Sequence, residues 1–310
     1  MDRKSFAVIG TGAIGGYYGA MLQRAGHEVH YLLRSDYAHV RANGLHVQSF
    51  KGDFDLPNVK AYDDVAQMPK VDVVIVALKT TQQSLLEHLL PPLLRKDTQV
   101  VLIQNGVGVE EATQALVPEA RLVGGLAFIC VDKPAEGFIR HQQNGSINLA
   151  PFSSTEAEVA ELAEVFNQAG LPAQILPHTD ARWRKALWNM PFNGLCTVLR
   201  TTTDRTVKEP HARALVEAIM QEVVAGAQAC GVETLTRDSI ANSIAYTEAM
   251  APYSPSMKLD FEAHRPMEID FLYHRPIAMA EARGAKMPLL KMLAAQLELL
   301  EANIQAQKAE

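Results

Sequence analysis

The sequence predicts a two-domain α/β protein, with a mainly parallel sheet and helices over residues 1–172 and an all-helical domain over residues 173–310. Three observations predict it. Strand-like and helix-like runs alternate up to about residue 170. Residues 71–78 are almost wholly apolar, which is typical of a parallel strand covered on both faces. After Pro172 helical periodicity dominates, and a length of 310 residues fits two domains.

The first strand-like run, residues 6–9, leads directly into a glycine-rich turn at the start of a helix-like segment. The turn reads Gly10-Thr11-Gly12-Ala13-Ile14-Gly15, and a second strand-like run follows at residues 28–33. GxGxxG between a strand and a helix, inside a βαβ unit, is typical of a Rossmann-type dinucleotide site. Gly10 permits the tight turn, Gly12 leaves room for a pyrophosphate, and Gly15 lets helix and strand pack closely. The alternative is a plain glycine-rich turn.

The end of the second strand indicates which dinucleotide binds. NAD sites usually have an acidic residue there, which bonds the ribose 2′-hydroxyl. In this chain the run ends on Arg34 and Ser35, and a guanidinium beside a hydroxyl suits the 2′-phosphate of NADPH. Two alternatives stay open: Arg34 is an ordinary solvated residue, or Asp36 is the ribose ligand.

The remaining elements follow from the same patterns. We expect strands at residues 99–104, 121–131, 137–140 and 146–150, with helix-like runs near 81–94, 109–117 and 155–169. In the second domain we expect helices near 180–195, 206–230, 236–249, 257–282 and 287–306. Ligands of parallel sheets bind beyond the carboxyl ends of the strands, which predicts Lys79 and Asn105 beside the cofactor.

Composition excludes several classes of protein. A hydrophobic content of 48%, 21% charged residues and a net charge of −6 without a long basic block argue against a nucleic-acid partner. No apolar run reaches about 18 residues, and the chain starts with a core strand rather than a signal peptide, so we expect no membrane association. Three scattered cysteines, and histidines without metal-ligand spacing, predict a cytoplasmic protein with no metal site.

A second informative segment lies at the start of the helical domain. Lys185, Asn189 and Asn193 follow one another at intervals of four, so a continuous helix places all three on one face. Burial or a nearby cation would lower the pKa of such a lysine towards the range that a proton donor needs. The alternative is a solvated helix face.

A third segment contains Ser256 and Glu268, twelve residues apart. Three helical turns would bring them to one face, but Pro266 argues against a single straight helix. Taken alone, these two residues fit an ordinary surface.

Together these segments resemble one family, the ketopantoate reductases (2-dehydropantoate 2-reductases). The resemblance covers nearly the whole chain. It rests on GTGAIG, VALKT, LIQNGVG, WRKALWNMPFN and SPSM…MEID, in that order and at compatible spacing.

The resemblance implies NADPH-dependent reduction of a 2-keto acid, with 2-dehydropantoate as the expected substrate. It implies that Lys185 is the general acid and that Glu268 binds the substrate hydroxyl. Polar residues that hold the keto acid or support the lysine are implied at Asn105, Asn189, Asn193 and Ser256. Lys79 and Asn105 match positions near the nicotinamide and its ribose, and Arg34 matches the residue at the 2′-phosphate.

Two departures from the family pattern bear on the substrate. Residues 271–276 read Phe-Leu-Tyr-His-Arg-Pro where the family commonly has small residues and a smooth helix. They predict either a differently shaped pocket or an altered helix contact, and Pro276 predicts a bend. Pro191 predicts a kink that would re-aim Asn193 relative to Lys185.

Three further alternatives stay open. The β-hydroxyacid dehydrogenases also place Lys and Asn four apart, but a glycine-rich approach usually precedes their lysine, and residues 180–184 contain no glycine. A non-catalytic NADPH-sensing protein would not need this set of polar residues together. The long C-terminal helices fit either a homodimer interface or a helical domain complete in one chain.

Overall fold

A computed structural model of the chain describes residues 3–309 and confirms the predicted fold class. The chain forms two compact units. One contains the residues up to Gln104 and from Val109 to His178, and the other contains Asn105–Gly108 and the residues from Thr179 onwards. The first unit continues beyond Pro172 because the short strand Ala173–Ile175 pairs with residues 147–149 of the sheet.

Within residues 3–309 the first unit holds one ten-stranded sheet. Its strands are β1 Ser5–Ile9, β2 Glu28–Leu32, β3 Leu45–Ser49, β4 Phe54–Leu56, β5 Lys60–Tyr62, β6 Val73–Val76, β7 Gln99–Leu102, β8 Arg121–Ala135, β9 Phe138–Pro151 and β10 Ala173–Ile175. They lie in the order β4-β3-β9-β8-β7-β6-β1-β2-β5, with β10 beside β9. The strands β8, β7, β6, β1, β2 and β5 are mutually parallel, so their carboxyl ends meet at one edge.

The central strands are apolar because both faces of the sheet are covered. Phe6, Val8 and Ile75, for example, are fully buried. The covering helices are α1 Ala13–Arg24, α2 Tyr37–Asn43, α3 Leu86–Leu89, α4 Val109–Leu116 and α5 Glu156–Gln168. A capping box between Thr155 and Glu158 starts α5.

Two expectations for the first unit were wrong. Residues 81–94 are not one helix: 3₁₀ turns at Thr80–Leu85 and Pro91–Leu93 flank the short α3, and Pro91 begins the second turn because it has no N–H to continue α3. Residues 137–140 and 146–150 are not separate strands. Both belong to β9, whose pairing with β8 shifts register next to Gly145, at a φ of 115°.

The second unit is helical. Its helices are α6 His178–Val198, α7 Thr203–Lys208, α8 Pro210–Ala229, α9 Arg237–Ala249, α10 Ser256–Glu262, α11 Arg275–Glu281 and α12 Pro288–Ala309. The single helix expected at 206–230 is two helices, because Pro210 starts α8. The helical run expected at 257–282 is interrupted, as Pro266 predicts: α10 ends before Pro266, and a π-helical turn, Asp270–His274, precedes α11. None of the helices in the described chain has the length and apolar character that crossing a bilayer requires.

Candidate active site

The glycine turn of the first unit has the geometry that a dinucleotide needs. Gly10 has a φ of 88°, and a Cβ there would lie 2.6 Å from the main-chain nitrogen of Leu78. At Gly15 a Cβ would lie 2.4 Å from the carbonyl oxygen of Gly10. At Gly12, by contrast, a Cβ would meet nothing within 4 Å. Two glycines are therefore required by the fold, and Gly12 leaves open space.

That open space lies at the start of α1. Gly12 is the N-cap of this helix, and no side chain caps it. Ala13 and Ile14 begin the helix and are half-buried, while the Thr11 hydroxyl donates to the carbonyl oxygen of Leu32, 2.9 Å away, and so ties the turn to β2. Uncapped N–H groups at the positive end of a helix bind phosphates, so this turn fits the pyrophosphate of a dinucleotide.

The loop after β2 carries the two residues predicted to select the cofactor. Arg34 is exposed and makes no hydrogen bond or ion pair with any residue in the range 3–309. Asp36 is 4% exposed, and its carboxylate forms an ion pair with Lys133 of β8. Lys133 also donates to the carbonyl oxygen of Thr11, 3.1 Å away. The free cation at this position is therefore Arg34, while the charge of Asp36 is balanced.

The two strand-end residues predicted beside the cofactor fall in different units. Lys79 is half-buried in the first unit, directly before the 3₁₀ turn that follows β6. Asn105 follows β7 but belongs to the second unit.

Helix α6 runs without interruption from His178 to Val198 and contains Pro191. Lys185 is half-buried, whereas Asn189 and Asn193 are 7% and 2% exposed. The solvated-face alternative is therefore wrong for the two amides. This helix face is polar and buried, and burying polar groups costs free energy unless they form hydrogen bonds.

The electrostatic surroundings of Lys185 suit a proton donor. Burial, and secondarily the nearby Arg182 guanidinium, lower the pKa of Lys185 to about 7, against the opposing pull of the Glu268 carboxylate. An ammonium with a pKa near neutrality can give up its proton within the turnover of an enzyme.

Arg182 is a buried cation beside Lys185 that sequence reasoning missed. It is 1% exposed, and its Nη1 lies 3.4 Å from the carbonyl oxygen of Gly106. It stands three residues before Lys185 on α6, so the two cations share one helix face. That spacing is visible in the sequence, but nothing in it indicates that the Arg182 side chain is buried.

The loop Asn105–Gly108 brings Asn105 to Glu268. The amide Nδ2 of Asn105 donates to Glu268 Oε2, 3.5 Å away, and Glu268 is 7% exposed. The N–H of Val107 donates to the carbonyl oxygen of Phe271, 2.9 Å away. Gly106 fits because a Cβ there would lie 2.5 Å from the same oxygen, and its φ is 105°. Glu268 and Asn105 therefore form one polar group. The carboxylate of Glu268 also favours the protonated form of Lys185.

Asn193 and Ser256 lie close together, and Asn193 supports the start of α10. Asn193 Oδ1 accepts the N–H of Met257 at 3.1 Å and lies 3.5 Å from Ser256 Oγ. Asn193 therefore holds the first turn of α10, where Ser256 itself is exposed. Ser256 and Glu268 do not share one helix, because α10 ends at Glu262 and Glu268 follows in an irregular segment.

The side chains of Tyr273, His274 and Arg275 bond to other residues of the helical unit. Tyr273 is fully buried, and its hydroxyl donates to the carbonyl oxygen of Met190 at 2.7 Å. His274 pairs with Glu298, and Arg275 pairs with Asp270, each at 2.7 Å. Pro276 lies in the first turn of α11, directly after the π-helical turn. These residues therefore make contacts within the helical unit.

One group of side chains with metal-ligand chemistry lies outside this site. Ligand atoms of Glu110, Glu111 and His178 fall within 4.8 Å of one another. Glu110 is fully buried and its Oε2 lies 2.9 Å from His178 Nε2, so a direct carboxylate–imidazole contact accounts for the arrangement.

Comparison with known proteins agrees with this geometry. The family model described as ketopantoate reductase PanE/ApbA matches residues 6–154, and its C-terminal counterpart matches residues 178–301. A 2-dehydropantoate 2-reductase of Nostoc sp. is 42% identical over 308 residues, covering 97% of this chain and 96% of the relative.

Solved structures give the same result. A 2-dehydropantoate 2-reductase from Geobacter metallireducens has a TM-score of 0.92 at 40% identity and covers 95% of this chain and 99% of its own. One from Methylococcus capsulatus has a TM-score of 0.88 at 34% identity, with 97% of each chain covered. This chain therefore belongs to the ketopantoate reductase family.

Proposed function

We propose that this protein reduces 2-dehydropantoate to pantoate with NADPH, the reducing step of pantothenate synthesis. The observation that carries the proposal is Lys185, whose pKa is lowered to about 7 within a polar group that contains Arg182 and Glu268. The relatives named 2-dehydropantoate 2-reductase support the choice of substrate.

In this reaction NADPH supplies a hydride to the C2 carbon of the keto acid. Negative charge then develops on the carbonyl oxygen, and the Lys185 ammonium stabilises it and donates the proton that completes the alcohol. Each turnover adds one hydride and one proton, which balances the reduction of a ketone. The lowered pKa makes Lys185 a better acid than an ordinary lysine.

The other polar residues have supporting roles. Glu268 accepts a hydrogen bond from the substrate hydroxyl, and its charge keeps Lys185 protonated at the start of the cycle. Asn189 and Ser256 offer neutral hydrogen-bond donors to the substrate carboxylate. Asn105 orients Glu268, and Asn193 holds the turn that carries Ser256.

For the cofactor, Gly10, Thr11, Gly12, Ala13, Ile14 and Gly15 hold the pyrophosphate at the start of α1. Arg34 binds the 2′-phosphate, and Lys79 and Asn105 lie near the nicotinamide and its ribose. The open space at Gly12 and the uncapped helix start support this assignment.

The test is NADPH oxidation, followed by absorbance, with 2-dehydropantoate beside smaller and bulkier 2-keto acids. We expect kcat/KM of about 10⁴ M⁻¹s⁻¹ or more for 2-dehydropantoate, well above the others. A better rival substrate would contradict the assignment of 2-dehydropantoate. Tight NADPH binding with no turnover of any keto acid would identify an NADPH sensor instead. The homodimer stays a prediction, which light scattering on the purified protein tests.

A further inference from the structure

We propose that Lys133 sets the preference of this protein for NADPH by neutralising Asp36. The inference rests on the proposed NADPH site of the first unit. Lys133 belongs to β8 and lies 97 positions from Asp36 in the chain.

The position of Asp36 carries the first step. Acidic residues that bind the ribose 2′-hydroxyl of NADH stand just beyond the second strand of a Rossmann-type sheet. Here β2 ends at Leu32, and Asp36 is the N-cap of α2, four residues later. An unbalanced carboxylate at this place would attract a ribose hydroxyl and repel a 2′-phosphate.

The second step is the ion pair. Lys133 Nζ contacts Asp36 Oδ2, and the two side chains are 19% and 6% exposed. Because the two opposite charges are in contact, their effects on a neighbouring group largely cancel. Asp36 therefore cannot act as the acidic ribose ligand of an NADH site.

The third step links the pair to the glycine turn. Lys133 Nζ also lies 3.1 Å from the carbonyl oxygen of Thr11, and the Thr11 hydroxyl is bonded to the carbonyl oxygen of Leu32. Lys133 thus fixes Asp36 against the same turn that would hold the pyrophosphate. With Asp36 neutralised, the exposed Arg34 is left as the charge that faces a 2′-phosphate.

The test compares dissociation constants for NADPH and NADH, measured by nucleotide fluorescence without any keto acid. We expect Lys133→Met to lower the preference for NADPH by about tenfold or more, chiefly through weaker NADPH binding, and to do so more strongly at low salt. Lys133→Arg keeps the charge and should keep the preference. Lys96→Met removes an exposed charge of the same unit and should change neither constant.

The double variant Lys133→Met/Asp36→Asn removes both charges and avoids an unpaired buried carboxylate. We expect it to recover the wild-type preference to within about threefold, because the net local charge is then again zero. Failure to recover would overturn the neutralising role of Lys133.

Other outcomes separate this inference from the proposed function. An unchanged preference in folded Lys133→Met, or equal losses for NADPH and NADH, would overturn the role of Lys133 and leave the reductase assignment intact. No binding of either nucleotide to the wild-type protein would contradict the cofactor site itself, and this inference with it.

Discussion

The hydroxyl of Tyr273 donates a hydrogen bond of 2.7 Å to the main-chain carbonyl oxygen of Met190, immediately before the proline in α6. Tyr273 therefore contacts the helical turn that separates Asn189 from Asn193. Pro191 and the segment 273–276 meet at this contact.

Replacing Tyr273 by Phe tests that contact. The ring would still pack, but Met190 would lose a buried hydrogen-bond donor, so we expect the free energy of unfolding to fall by about 1–2 kcal/mol. Denaturant unfolding measures this loss. Tyr37→Phe is the matched control, because the Tyr37 hydroxyl makes an exposed bond with Arg41 and should change stability little. Equal losses in both variants would contradict the role of Tyr273.

The pKa of Lys185 predicts the pH dependence of the reaction. A general acid works only when protonated, so kcat/KM for keto-acid reduction should fall as pH rises through about 7. Lys185→Ala should lose about 10²–10⁴-fold in kcat and the pH limb with it. Rate profiles from pH 5 to 9, with each variant checked for folding, measure both effects. An alanine variant that keeps the wild-type rate would refute the general-acid role.

The lowered pKa of Lys185 also predicts that this residue supports activity at the expense of stability. In the folded protein Lys185 loses its proton near pH 7, whereas in the unfolded chain it keeps the proton up to about pH 10.5. Burial of the charged lysine therefore lowers the free energy of unfolding by its full amount below pH 7, and by less as the pH rises from 7 to 10.5. Lys185→Met should therefore raise the unfolding free energy by about 1 kcal/mol at pH 6. Thermal unfolding at pH 6 and pH 9 measures this. A gain that grew with pH would have the wrong sign.

Gly12 and Gly15 form a matched pair for the cofactor turn. Gly12→Ala places a methyl group in open space, so the protein should stay as stable but bind NADPH at least about tenfold more weakly. Gly15→Ala forces a methyl group to 2.4 Å from a carbonyl oxygen and should destabilise the unit. Thermal unfolding and NADPH titration separate the two effects. If Gly12→Ala bound NADPH normally, the phosphates would have to lie elsewhere.

Arg34→Ala tests the 2′-phosphate site directly. A charge-assisted hydrogen bond is worth about 1.5–3 kcal/mol, so KM for NADPH should rise more than tenfold while KM for NADH stays nearly constant. Steady-state kinetics with both cofactors measure the difference. Equal changes for the two cofactors would show that Arg34 does not contact the phosphate.

The features that sequence predicted are those encoded locally. The glycine turn, the stripe of Lys185, Asn189 and Asn193, and the apolar central strands depend on spacings of a few residues, which the periodicities of helix and strand translate directly into geometry. The break before Pro266 was predicted from the same local chemistry, whereas the start of α8 at Pro210 was not, because helical periodicity runs across it.

What could not be predicted depends on residues far apart in the chain. The pair of Asp36 with Lys133 spans 97 positions, and the contact of Tyr273 with Met190 spans 83. Neither residue type signals its partner, because a lysine after a β-strand or a tyrosine in a helix is ordinary by itself. The buried Arg182 escaped for a related reason: burial of a cation is decided by packing, not by its neighbours in sequence.

The loop Asn105–Gly108 has a consequence for engineering. Four residues of the helical unit are encoded within the first unit, so the peptide chain passes from one unit to the other after Gln104, after Gly108 and after His178. A chimaera that joins the first unit of one relative to residues 179–310 of another would combine a loop and a helix that were never matched. Gly106 and the carbonyl oxygen of Phe271 would then come from different parents, and Asn105 would face a foreign Glu268. The exchangeable module is therefore the helical unit together with this loop, transplanted as two pieces.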